Sequence, residues 1–100
     1  MKFKVEKPKD NSWNLLRQAG YSQHPDRRHG ISYFRSLQGG LYPRFHIYID
    51  AESAGEYIDF SIHLDQKKPS YEGSRAHGGD YDSEMVQKEV ERLREVFQHL

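Results

Sequence analysis

Polar and apolar residues alternate along two stretches of the chain, RFHIYID (44–50) and YIDFSIHLD (57–65), in the period of a half-buried β-strand. In the second, Ile58, Phe60, Ile62 and Leu64 point one way. Tyr57, Asp59, Ser61, His63 and Asp65 point the other. In the first, Phe45, Ile47 and Ile49 alternate with His46, Tyr48 and Asp50. A hairpin that puts both apolar sets on one core must pair an even-numbered polar residue with an odd-numbered one. One such register sets Asp50 against Tyr57, Tyr48 against Asp59 and His46 against Ser61. A register two residues on sets His46 against His63. Both histidines then share one polar, aromatic surface.

Before these strands comes ISYFRSL (31–37), rich in β-branched and aromatic residues and closed by Gly39-Gly40. The C-terminal segment changes period. Val86, Val90, Leu93, Phe97 and Leu100 fall at steps of four, three, four and three, one apolar stripe of an α-helix. Asp82 or Ser83 can cap its start, and Glu84 suits the positive end of the helix dipole. A shorter helix runs through Trp13, Leu15, Leu16 and Ala19, with Ser12 as N-cap and Gly20 just past its end. YSQHPDRRHG (21–30) reads as a polar connection with a turn at Pro25-Asp26. Phe3 and Val5, between Lys2, Lys4 and Glu6, alternate as a short edge strand ended by Pro8. The expected fold is α+β: an antiparallel three-stranded sheet in the order α-β-β-β-α, an extra N-terminal edge strand in front, and both helices on one face. Trp13, Leu16, Phe45, Ile47, Ile58, Phe60, Ile62, Val90, Leu93 and Phe97 should form the core.

At 100 residues the chain is the size of one domain, 1–100. Cysteine is absent, which removes disulfides, thiol nucleophiles and thiolate zinc sites. Any metal must therefore sit on histidine, carboxylate and water. MKFKVEKPKD contains no apolar run of signal-peptide length and no later stretch approaches a membrane span, so a soluble, cytoplasmic protein with no membrane partner is expected. The net charge of zero hides an asymmetry. Residues 1–50 carry nine Lys/Arg against four Asp/Glu, and residues 51–100 six against eleven, so the halves are +5 and −5. A basic face on the first half can attract phosphate even when the whole molecule is neutral.

The chemistry concentrates in HLDQKKPSYEGSRAHGGDYD (63–82), where two histidines and three aspartates stand among only two aliphatic residues, Leu64 and Ala76. A connection this long is more often functional than incidental in a compact domain, so an ordered functional loop is expected. His63 and Asp65 are i and i+2 on a strand, hence on one face about 7 Å apart by strand rise. His77 follows in a glycine-rich return. These three form a candidate open site for Zn2+ or another divalent ion, which His46 and Asp80 can join. Without a metal, His46 or His63 could serve as a general base oriented by Asp59 or Asp65. The alternative reading is a nucleic-acid-binding module using Arg27, Arg28, Lys67 and Lys68, with Arg35 and Arg44 on strands and Tyr33, Tyr48 and Tyr57 as stacking surfaces. A third is a protein-interaction module on the same aromatic sheet face. Whether the protein is an enzyme is left open.

NSWNLLRQAGY, LYPRFHIYID and HLDQKKPSYEGSRAHGGDYD together resemble a family of small uncharacterised bacterial proteins. The resemblance spans most of residues 12–95 and implies a bacterial, cytoplasmic protein without implying an activity. The element order also resembles that of double-stranded-RNA-binding domains, and LLRQAGY is similar to the first helix of small mRNA-interferase toxins built on that fold. Those toxins carry a Gly-Ser-His motif entering their strands. Here Gly30 is followed by Ile31 and Ser32, with His29 before it. What the likeness implies is a fold, not a function.

Overall fold

The computed structural model describes residues 1–28, 30–40, 42–66, 79–80 and 83–100. The elements in chain order are β1 (Lys2–Glu6), α1 (Ser12–Gln18), β2 (Ser22–Asp26), β3 (Gly30–Ser36), β4 (Arg44–Ser53), β5 (Tyr57–Asp65), β6 (Gly79–Asp80) and α2 (Glu84–Gln98). Five strands form one antiparallel sheet in the order β1-β5-β4-β3-β2, and the two-residue β6 pairs with β5 beyond the end of β1. The protein is α+β, as the mixed periodicities require.

The alternating apolar residues of β4 and β5 do what their period dictates. Phe45, Ile47, Ile58, Phe60, Ile62 and Leu64 are all buried, and with Phe3 and Tyr33 they make one apolar sheet face. Leu15 and Leu16 of α1 and Val86, Val90, Leu93 and Phe97 of α2 close over that face in a single core, so both helices lie on the same side. Trp13 is only half-buried at its edge, stacked 5.7 Å from Tyr33. Helix α1 is capped by Asn11 rather than Ser12: the Asn11 side chain accepts from the Asn14 amide at 2.8 Å. Gly20 ends it with φ +98°, a conformation that strains any residue with a side chain. Ser83 caps α2, accepting from the Val86 amide at 3.2 Å.

Two expectations about the sheet need correction. The sheet has more than three strands. The N-terminal strand is present as β1, and the presumed connection contains β2, an exposed edge strand with no apolar alternation and a proline in it. Both features suit an edge, where pairing rests on the backbone of one neighbour. The helix-first order therefore becomes β-α-β-β-β-β-β-α. Of the two hairpin registers that keep both apolar sets on the core, the structure has the one in which His46 pairs with His63, Tyr48 with Ser61 and Arg44 with Asp65.

A bulge at Asp50 shifts the pairing, so that Ala51 meets Asp59 and Glu52 meets the buried Ile58. Asp50 accepts a hydrogen bond from the Ser61 hydroxyl on the polar side. Glu52 is thereby turned toward α1. Its carboxylate accepts from the Ser12 amide at 2.9 Å and the Ser12 hydroxyl at 2.7 Å, where a negative charge suits a helix start. No described helix is long and apolar enough to cross a membrane. Of the loop expected over 63–82, residues 63–66 close and follow β5, and 67–78 and 81–82 lie outside the described residues.

One charged group lies inside the helix layer. Glu89 of α2 is buried, accepts from the Tyr21 hydroxyl at 2.6 Å, and is gripped by Arg92 through contacts of 2.8 and 2.9 Å. Arg35 of β3 lies 3.8 Å away, and Arg92 also donates to the Ala19 carbonyl at 2.7 Å. Burial and the neighbouring carboxylate push the Tyr21 hydroxyl well above its ordinary range, so it stays a donor. Glu89→Ala should therefore cost about 3–5 kcal/mol of stability, because it strands a buried hydroxyl and leaves a guanidinium uncompensated. Tyr21→Phe, which leaves Glu89 its arginines, should cost about 1 kcal/mol. Urea unfolding of the two variants checks this, and equal losses would show that the arginines do not depend on Glu89.

Candidate functional site

The face of the sheet away from the helices carries the remaining chemistry. Across its middle, three strands present Phe34, His46 and His63 side by side, since Phe34 of β3 pairs with His46 of β4 and His46 with His63 of β5. The next row toward the end of β5 sets Arg44 against Asp65. Because side chains alternate, Asp65 projects from the same face as His63, two residues along. The local sequence thus lays a carboxylate diagonally beside two imidazoles.

Asp65 is the hub. Its Oδ1 lies 2.9 Å from Nε2 of His63, and its Oδ2 lies 3.3 Å from Nδ1 of His46 and 3.6 Å from Nε of Arg44. The hydroxyl of Tyr48 is 3.5 Å from the same His46 Nδ1. The imidazole rings stand 4.7 Å apart between centroids. Although no helix among the described residues lies on this face, the cluster is substantially covered, with side-chain exposures of 9% for His46, 12% for His63 and 17% for Asp65. Nε2 of His46, Nε of Arg44 and the hydroxyl of Ser32 are buried and have no hydrogen-bond partner among the described residues. With Nδ1 turned to the carboxylate, Nε2 of His46 carries a lone pair that nothing described here uses.

Aromatic rings wall the cluster. Phe34 lies 4.1 Å from the His46 ring, Tyr48 lies 4.3 Å from it, and His24 packs edge-on against Phe34 at 5.1 Å. The Arg44 guanidinium lies 3.7 Å from the Phe34 ring and 4.5 Å from the Tyr42 ring. Two close aromatic contacts restrain the fork and make Arg44 part of the site's frame.

The electrostatics fix the protonation states. Burial acts to raise the Asp65 carboxyl, but the hydrogen bonds with His46 and His63 and their charge outweigh it and hold the carboxyl well below the usual carboxylate range. For His46, burial is the largest influence and lowers it below its ordinary value, helped by His63 and Arg44 and opposed by the hydrogen bond to Asp65. At neutral pH the site therefore holds an ionised carboxylate and a neutral His46 imidazole, the forms that ligate metals. One donor atom from each of His46, His63 and Asp65 lies within 4.8 Å of the others. The same geometry can also serve, without metal, as a carboxylate-oriented imidazole with a free lone pair.

Of the residues expected at a metal site, His63, Asp65 and His46 come together. His77 lies outside the described residues, and Asp80 is placed only through its backbone pairing with Leu64. Arg27 and Arg28 are exposed in the turn between β2 and β3, where the Arg28 amide donates to Asp26 at 2.8 Å. That turn is at the opposite end of the strands from Asp65, and Lys67 and Lys68 lie outside the described residues. Reading the sequence missed Phe34 and Tyr42. The signal for Phe34 was its shared parity with Ser32 and Ser36, obscured by the aromatic Tyr33 next to it. No family model, no curated protein and no solved structure matches this chain.

Both shifts run downward, so each group binds fewer protons folded than unfolded, and stability rises with pH across each window. The His46 contribution should be complete above about pH 6.5 and fall as the pH drops from there toward its folded value. The Asp65 contribution should be complete above about pH 3.9 and be lost as the pH falls through its lowered folded value. Urea midpoints measured against pH should show His46→Gln flattening the slope just below pH 6.5 and Asp65→Asn flattening it in the acid range. A wild-type slope retained in both variants would remove the cluster as its source.

Proposed function

We propose that the protein binds a divalent transition-metal ion, zinc or one of similar preference, through His46, His63 and Asp65. The observation that carries this reading is the 4.8 Å convergence of two imidazole nitrogens and one carboxylate oxygen on adjacent strands. Ligands bound at about 2.0–2.2 Å around one ion stand about 3.3–3.5 Å apart, so side-chain rotations of an ångström or so bring these three into range. The mixed nitrogen and oxygen set favours zinc, iron, cobalt or manganese over magnesium and calcium, which take oxygen ligands. Ionised Asp65 and neutral His46 need not lose protons before ligation.

Three protein ligands leave coordination positions open. An ion held this way exchanges ligands and can polarise a bound oxygen or lower the pKa of a bound water, whereas a structural zinc site is closed by four protein ligands. Arg44 and Tyr48 border the cluster as outer partners, orienting Asp65 and His46 by their contacts of 3.6 and 3.5 Å.

Calorimetric titration with Zn2+ should show one ion bound per chain. His63→Ala and Asp65→Ala should each weaken binding by more than the roughly 10–100-fold that loss of an outer-shell partner brings. Tyr48→Phe should have a smaller effect. Equal, negligible heats in wild type and variants would eliminate the metal.

A further inference from the structure

The guanidinium of Arg44 is the least expected member of this face, and it bears on what the open metal positions would take. It stands in the row next to His46 and His63, directly across from Asp65. Oδ2 of Asp65 is 3.6 Å from Nε, too far for a hydrogen bond, and that buried Nε has no hydrogen-bond partner among the described residues. Orphaned buried donors are rare in folded proteins and call for an explanation. Phe34 at 3.7 Å and Tyr42 at 4.5 Å both contact the cation, so its orientation is restrained before any ligand arrives.

Charge gives the second argument. With a divalent ion in place, the groups in direct contact are the ion at +2, Asp65 at −1, Arg44 at +1 and two neutral imidazoles. Among the described residues the occupied site thus carries an excess of +2, in surroundings where Arg44 is four-fifths covered. Such an excess is stabilised by a dianion. A monoanionic carboxylate would cancel only half of it.

We propose that the site binds a dianionic phosphate group, one oxygen on the metal and another on the fork of Arg44. This rests on the metal reading above and names the ligand class for its open positions. Arginine suits the role because its planar donors match phosphate oxygens in pairs, as a lysine ammonium does not. A phosphate monoester is predominantly dianionic above its second pKa of about 6, so binding belongs to neutral pH, where Asp65 is also ionised. The half-buried rings of Tyr42 and Tyr48 leave apolar surface beside the cluster for the organic part of an ester.

The test uses the full chain loaded with Co2+, whose visible bands report changes at the metal. Phenyl phosphate should shift the bands, and benzoate, a ring-bearing monoanion of similar size, should bind at least about tenfold more weakly. Inorganic phosphate separates the sources: binding equal to phenyl phosphate points to the free ion, and weaker binding to an ester. Arg44→Gln, given enough Co2+ to load it despite weaker metal binding, should show Co2+ bands, which demonstrates that the variant folds, and should bind phenyl phosphate at least about tenfold more weakly than loaded wild type. Arg44→Lys, which keeps the charge but not the fork, should recover only part of the loss. Absent Co2+ bands in wild type would overturn the metal reading and this one together. Normal bands that ignore phosphate, or a phosphate affinity unchanged in Arg44→Gln, would overturn this inference alone.

Discussion

The pairing of His46 with His63 across β4 and β5 is the constraint on which the rest of the polar face depends. A slip of one residue would turn the apolar set of either strand into solvent, and the buried Ile47, Ile58, Phe60 and Ile62 forbid it. A slip of two keeps every apolar residue inside, so the core alone does not choose between the two registers. What the observed register adds is local. It places Arg44 opposite Asp65 and both imidazoles against the two oxygens of that carboxylate. It also puts the Ser61 hydroxyl within reach of Asp50. Charge pairing and hydrogen bonds on one face thus select among arrangements that the other face leaves equivalent.

The bulge at Asp50 reconciles this register with the helix layer. Without an extra residue, Glu52 would stay on the polar face with Tyr48. With it, Glu52 lies on the helix side of the sheet, exposed at the start of α1, and satisfies the Ser12 amide and hydroxyl. The far side of the layer is held by Glu89, which joins α2 to Tyr21, Arg35 and the end of α1 through Arg92. The buried Glu89 carboxylate is tolerated inside because charged and hydrogen-bonding partners meet it there. The helices therefore dock at fixed positions on the apolar face, and the opposite face stays clear of them.

On that opposite face, aromatic rings take the place of a covering layer. Phe34, His46, Tyr48 and His63 contact one another at 4.1 to 5.9 Å, and Arg44 lies against Phe34 and Tyr42. Ring packing removes enough water from His46 to lower its affinity for a proton, while the carboxylate it shares with His63 remains ionised. Two imidazoles around one anion, framed by a guanidinium against two aromatic rings, make a polar site within a mostly aromatic surface. Concave or walled surroundings with a few convergent polar groups are where ligands are commonly held.

Much of this was legible in order along the chain. Alternation in 44–50 and 57–65 determined two strands, their apolar faces and the common side of His46, His63 and Asp65. The 3.6-residue stripe from Val86 to Phe97 determined the long helix and its buried edge, because these periods depend only on local backbone geometry. β2 was not legible, since an edge strand takes its stability from a neighbour's backbone and leaves no alternation in SQHPD. Nor was the choice of register, the bulge that turns Glu52 toward α1, or the contact of Arg44 with Phe34 and Tyr42. Those depend on contacts between residues distant in sequence, where several pairings satisfy the same pattern of polar and apolar positions. Local periodicity named the residues of the polar face, and tertiary packing decided which of them touch.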